Sequence, residues 1–176
     1  MSKGPSPYNG LFLPRRFFVT SGKAVSPESP LNAFDQALMD AGIAQYNIVP
    51  VSSIIPPGAV EVSSVDLTPG SVVFAVLARM DGVGGETISA GVAWGWARRP
   101  NGVGYGLVAE AYGHEERWAI EEELKMKVRE MARARGMEMG EVKYRVETIE
   151  AVPRGMYGCV VAAFVYVPVD AGSPSP

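Results

Sequence analysis

The apolar positions of this chain fall into runs too long for half-exposed surface strands. Residues 71–79 (SVVFAVLAR) and 156–167 (MYGCVVAAFVYV) are hydrophobic at nearly every position, so both faces of each strand must be covered. Residues 86–97 (ETISAGVAWGWA) and 104–112 form two further strands. The turn Arg99-Pro100-Asn101-Gly102 between them predicts an antiparallel hairpin. Residues 16–25 (RFFVTSGKAV) and 46–51 also read as strands. Residues 141–150 alternate, with Val142, Tyr144 and Val146 set against Lys143, Arg145 and Glu147, which predicts a half-exposed strand.

In two places the period lengthens to that of a helix. Ser29-Pro30 is a hydroxyl cap followed by proline at the first helical position. Leu31, Phe34 and Leu38 then recur on one face, Asp35 lies at the edge of that face, and Gly42 supplies the stop, giving a helix over 31–41. Residues 114–135 predict a longer helix with Ile120, Leu124, Val128 and Met131 as its apolar stripe and Gly136 as its end. This makes about six or seven strands joined mostly by hairpin-type links, an α+β pattern rather than alternating βαβ. Two helices cannot cover that many strands on both faces, so a layered sandwich or an oligomer interface is required.

Composition narrows the picture. A chain of 176 residues suits one domain, and 47% hydrophobic residues exclude wholesale disorder. The net charge of -3 lacks the basic footprint expected for nucleic acid. No run approaches a membrane span, and the first residues carry no signal-peptide pattern, so a soluble cytoplasmic protein is expected, with no membrane partner. The single cysteine, Cys159, excludes an internal disulfide, and the single histidine, His114, argues against a metal cage. Cys159 sits within an apolar run, which suits a buried, inert thiol, and His114 reads as a solvated first-turn residue.

The same scarcity restricts catalysis. A Ser-His-Asp triad has only one histidine to draw on, and the lysines Lys3, Lys23, Lys125, Lys127 and Lys143 lie in polar or terminal settings unsuited to a buried Schiff-base lysine. The glycine-rich stretches at 82–85 and 102–106 match no phosphate-binding loop and read as tight turns. Ser52-Ser53 remains, followed by Ile54-Ile55-Pro56-Pro57-Gly58. A serine hydroxyl that attacks the preceding carbonyl converts amide to ester. Elimination then cuts the chain and leaves a ketone on the new terminus. Such a step needs an oriented peptide and donors for the developing oxyanion. Asn47 offers one amide donor upstream. Ser63-Ser64, with no Pro-Pro after it, reads as an ordinary loop.

Several blocks in order resemble the pyruvoyl-dependent arginine decarboxylase family. They are Pro30-Leu31-Asn32-Ala33-Phe34-Asp35, Asn47 with Val51-Ser52-Ser53-Ile54-Ile55-Pro56-Pro57, Gly85-Glu86-Thr87-Ile88-Ser89-Ala90, and Gly106-Leu107-Val108-Ala109-Glu110. Val128-Arg129-Glu130-Met131-Ala132 and Gly158-Cys159-Val160-Val161-Ala162-Ala163 extend the match over roughly residues 11 to 167. The resemblance implies an α+β fold, a four-layer αββα sandwich with mostly antiparallel sheets. It implies a homotrimer or dimer of trimers with active sites between subunits. It also implies one decarboxylase domain over 1–176, self-cleaved into 1–52 (β chain) and 53–176 (α chain). The cofactor would be a pyruvoyl group derived from Ser53, with no PLP and no metal. Arginine would become agmatine and CO2 through a Schiff base, in polyamine biosynthesis. By motif position, Ser53, Glu110 and Asn47 are catalytic, with Glu110 the proton donor and Asn47 assisting cleavage at Ser52 and Ser53. Asp35 would hold the guanidinium, with Leu31 and Phe34 beside it, while Glu86 falls in a motif without an assigned role. Pro50 and the Trp94-Gly95-Trp96 strand depart from the family pattern without removing a motif residue. Two other readings stay open: a decarboxylase for a different amino acid, and an unprocessed homologue that binds or assembles.

Overall fold

The computed structural model describes residues 12–168. In chain order the elements are β1 (Arg16–Ser26), α1 (Pro30–Asp40), β2 (Asn47–Pro50), β3 (Ile54–Ile55), β4 (Val60–Glu61) and β5 (Val72–Val83). They continue with β6 (Ile88–Arg98), β7 (Gly104–Gly113), α2 (Arg117–Ala134), β8 (Glu138–Ile149) and β9 (Tyr157–Tyr166). One sheet has the order β2-β5-β9-β1-β4 and the other the order β3-β7-β6-β8. The long pairings are antiparallel; only the short β2–β5 and β1–β4 pairings are parallel.

Strand β9 shows why the layers stack as they do. Its alternate residues Val160, Ala162, Phe164 and Tyr166 enter a core shared with Val92, Trp94 and Val108 of the other sheet. Cys159, Val161, Ala163 and Val165 face the opposite way, against Ala33, Ala37 and Ala41 at α1. The second sheet turns Ala93, Leu107, Ala109 and Ala111 toward Ile120, Leu124 and Val128 of α2. Three apolar seams therefore separate four layers in the order α, β, β, α. This is the expected sandwich, and it covers both faces of β5 and β9 within one chain. Phe164 anchors the middle seam. It stacks on Phe17 at a centroid distance of 4.3 Å and meets Trp94 and Tyr166 edge-on.

The helix ends follow the sequence signals unevenly. Ser29 caps α1 by accepting from the Asn32 amide. Gly42 and Gly136 end the helices with φ of 73° and 64°. At both ends the next two amides bond back to the last turn, for α1 Gly42 N–H to Met39 O and Ile43 N–H to Leu38 O. The longer helix, however, begins at Arg117 rather than at 114, and Glu116 at its cap makes no side-chain capping bond. His114 therefore lies before the helix, exposed, with Nδ1 near the Thr87 carbonyl. The hairpin expectation holds for β6–β7, whereas β5 and β6 belong to different sheets, so their connection carries the chain across the sandwich. In that turn the Glu86 carboxylate accepts the Val83 amide at 2.7 Å, a capping role that the sequence did not assign.

The seating of α1 on β1 depends on Gly22. A methyl there would lie 2.2 Å from the Ala37 carbonyl oxygen and 2.5 Å from the Ala41 nitrogen. Gly22→Ala should therefore lose about 1–3 kcal/mol of stability in urea unfolding followed by circular dichroism. Gly113→Ala is the control: its nearest neighbouring atom would be 3.8 Å away. It should stay within about 0.5 kcal/mol of the parent. Equal midpoints for the two variants would contradict the close approach of α1.

Candidate active site

The segment containing the paired serines changes sheets. Strand β2 is an edge of the first sheet and β3 an edge of the second. Val51 still donates its N–H to Ala75 O of β5 at 3.0 Å, and two residues later Ser53 O accepts the Val108 N–H of β7 at 2.9 Å. Ser52 is thus the residue at which the backbone leaves one ladder before joining the other. Downstream, the Tyr166 hydroxyl donates to Ile54 O at 2.8 Å. The Pro56-Pro57 pair then stops the second ladder after β3, because proline has no N–H to contribute. Close packing also fixes β3 laterally, since a Cβ on Gly106 would fall 2.6 Å from the Ile55 Cβ. The bond between the serines is held on both sides by main-chain hydrogen bonds to different sheets.

Ser52 is exposed and Ser53 half-buried. Ser52 borders a cavity of about 300 Å³ formed with Pro14, Val51, Ile54, Phe74 and Tyr166. The ladder pairs Ile54 with Leu107 and Ile55 with Gly106, so Ser53 lies opposite Val108. Glu110 is two residues further along β7 and shares the Val108 face, as the period of two requires. Across β6 its partner is Val92, which is fully buried in the seam between the sheets. Burial in these surroundings pushes the Glu110 carboxyl above the ordinary carboxylate range, and the Lys127 ammonium partly opposes that rise. Lys127 also donates to Glu110 O at 3.1 Å and pairs with Glu123 at 2.6 Å.

The other expected site residues stand apart from this cluster within one chain. Asn47 begins β2, and its side-chain amide donates to Gly70 O at 2.8 Å. About 13 Å of extended strand separates it from Val51. Leu31 is 70% exposed, and Asp35 is exposed beside it on α1. That helix covers the outer face of the first sheet, whereas Glu110 belongs to the second sheet. Phe34 is half-buried, with the Arg79 guanidinium 3.7 Å above its ring. Arg79 is itself held by Asp81 through bonds of 3.1 and 2.8 Å. Cys159 is fully buried, and burial followed by the neighbouring Asp81 pushes its thiol up, so it is no ready nucleophile.

Reasoning from sequence missed Tyr166 and the approach of Lys127 to Glu110. A phenol inside an apolar strand needs a partner for its hydroxyl, which was a usable signal for Tyr166. Lys127 carried no signal, because a lysine between Glu123 and Glu130 at the margin of an apolar stripe reads as an ordinary solvated helix residue. Among the described residues, no group of three or more His, Cys, Asp and Glu side chains could hold a metal ion, and no helix is long and apolar enough to cross a membrane.

Comparison with known proteins shows the family. The sequence profile of the family described as pyruvoyl-dependent arginine decarboxylase matches residues 16–171. A protein of Methanopyrus kandleri with that name is 36% identical over 155 residues, covering 88% of this chain and 97% of the relative. Pyruvoyl-dependent arginine decarboxylase 2 of Archaeoglobus fulgidus is 34% identical over 165 residues, covering 88% and 98%. The protein of that name from Methanothermobacter thermautotrophicus is 36% identical over 151 residues, covering 85% and 94%. The matched span contains Ser52, Ser53 and Glu110, and the chain belongs to the pyruvoyl-dependent arginine decarboxylase family.

Proposed function

We propose that this chain cuts itself between Ser52 and Ser53 and then decarboxylates L-arginine to agmatine. The observation that carries this reading is the tethering of that one peptide between two sheets, near a carboxyl whose burial pushes it above the ordinary carboxylate range. In the first step Ser53 Oγ adds to the Ser52 carbonyl carbon, and the Ser53 nitrogen leaves it, so amide becomes ester. Loss of the Ser53 α-proton expels Ser52 as a carboxylate. Tautomerisation and hydrolysis then release ammonia and leave a pyruvoyl group at residue 53.

The residues around Ser53 suit that group. Its carbonyl end stays on the Val108 amide, Tyr166 keeps Ile54 in place, and the cavity beside Ser52 gives a substrate access once the chain is open. When formed, the pyruvoyl group supplies an electron-withdrawing carbonyl that takes up the substrate amine and the electron pair freed as CO2 departs. Glu110 keeps its proton to higher pH than an ordinary carboxyl and returns it to the substrate α-carbon. Asp35 offers a carboxylate to a guanidinium, beside the apolar Leu31 and Phe34. Asn47, Leu31 and Asp35 reach Ser53 from a neighbouring copy. The supporting observations are their distance from it within one chain and the exposed Val49, Val51, Ile54 and Val72 along the β2–β3 side. The two fragments remain associated, because β1 pairs with β9 along its length and β2 with β5.

Processing is tested on a denaturing gel. The parent should give fragments 1–52 and 53–176, and Ser53→Ala should stay whole. Tyr166→Phe removes one hydrogen bond from the scissile segment, worth about 1 kcal/mol, and should slow cleavage about fivefold. Cleavage of Ser53→Ala at the same place would contradict the mechanism.

Glu110 sets the pH dependence of turnover. Its value is raised, so the proton is present at low pH and activity falls as pH climbs through that raised value. Glu110→Gln should lower kcat by about 10²–10⁴-fold in fully processed protein. A kcat equal to the parent's would remove Glu110 from the proton-transfer step.

Asp35→Ala should raise KM for arginine about 10–100-fold, the loss of a charge-assisted bidentate contact. KM for ornithine should move much less. Competition among arginine, lysine and ornithine reads this, and an unchanged preference would favour a different amino acid as substrate.

A further inference from the structure

Strand β3 is only two residues long, so it leaves the outer edge of β7 open just beyond Ser53. Val108 finds its partner in Ser53, and in the alternation of the ladder Glu110 is the next β7 residue whose main chain points to that edge. Among the described residues, no strand lies there. Instead, Lys127 reaches round from α2 and donates to Glu110 O at 3.1 Å, while Glu123, one turn earlier, holds the ammonium at 2.6 Å. A side chain from a helix thus completes a ladder position that a strand would normally fill.

We propose that the Lys127–Glu123 pair is a positioning device for Glu110, which closes the open edge of β7 and governs the pH range over which that carboxyl delivers its proton. Its enzymatic consequence rests on the function proposed above. The groups facing Glu110 are few. Val92 of β6 and the apolar seam offer no charge, and the Ser53 hydroxyl is neutral. Among the described residues of one chain, Lys127 is the charged group that acts on Glu110, and Glu123 partly neutralises Lys127; the Asp35 proposed to come from a neighbouring copy acts equally in every variant compared below. The pair therefore works as a balance. Without the ammonium, Glu110 holds its proton more tightly. Without Glu123, the ammonium acts at full strength and Glu110 releases its proton earlier.

The test uses opposite signs. In full-length Ser53→Ala protein with carbon-13 labelled glutamate, the Glu110 carboxyl resonance is assigned by its loss in Glu110→Gln and titrated. Lys127→Met should move its midpoint up by about 0.5–1 pH unit, Glu123→Gln should move it down, and Lys127→Arg should stay near the parent. In processed enzyme the alkaline limb of kcat should move in the same directions. Midpoints that do not move, or that move the same way in Lys127→Met and Glu123→Gln, overturn the inference even if cleavage and decarboxylation proceed normally. If the titration moves as expected while the parent never cleaves, the positioning role stands and the proposed function fails.

Discussion

The structure turns on a single crossing. After β2 the chain must pass from the first sheet to the second, and it does so within about two residues, with backbone hydrogen bonds already made on both sides. A loop on the surface would relax under attack. This segment cannot do so easily, because Val51 belongs to one ladder and Ser53 to the other. Orientation of the peptide is thereby set by the backbone ladders of two sheets, with the Tyr166 hydroxyl bond to Ile54 O in support.

The same arrangement would let the chain keep its fold after the proposed cut between Ser52 and Ser53. The N-terminal part contributes β1, α1 and β2, all pinned against strands from the C-terminal part. Strand β1 lies beside β9, and α1 rests on the outer face of the sheet that both share. The free energy of those contacts does not depend on the covalent link. Ser52 is already exposed beside a cavity lined by residues such as Phe74 and Ile54.

Much of this was written plainly in the sequence. The doubly apolar β5 and β9 demanded cover on both faces, and the layers supply it. The Ser29 cap and the two helix-ending glycines placed three of the four helix termini. The start of α2 was not legible, because Glu116 makes no capping bond and the charged pattern runs on smoothly behind it. Strands β3 and β4 were invisible for a different reason: two residues carry no period, and tertiary pairing alone defines them. At the site, Ser52, Ser53 and Glu110 were named in advance, and the register sets Ser53 and Glu110 on one face of β7. Tyr166 and Lys127 were not, since each acts through a long-range contact from a residue whose local surroundings looked ordinary. The separation of Asp35 from Ser53 follows from layer geometry, which no local pattern records, whereas that of Asn47 is the length of β2 itself.

The central claim is that the link between Ser52 and Ser53 is broken by the chain itself to make a carbonyl at residue 53. Mass spectrometry of the purified protein, with sequencing of the larger fragment, measures this most directly. The account predicts a fragment beginning at residue 53 that lacks a free amino group and has the mass of a pyruvoyl terminus. An intact chain in active protein, or a fragment whose first residue is an unmodified serine, would contradict it.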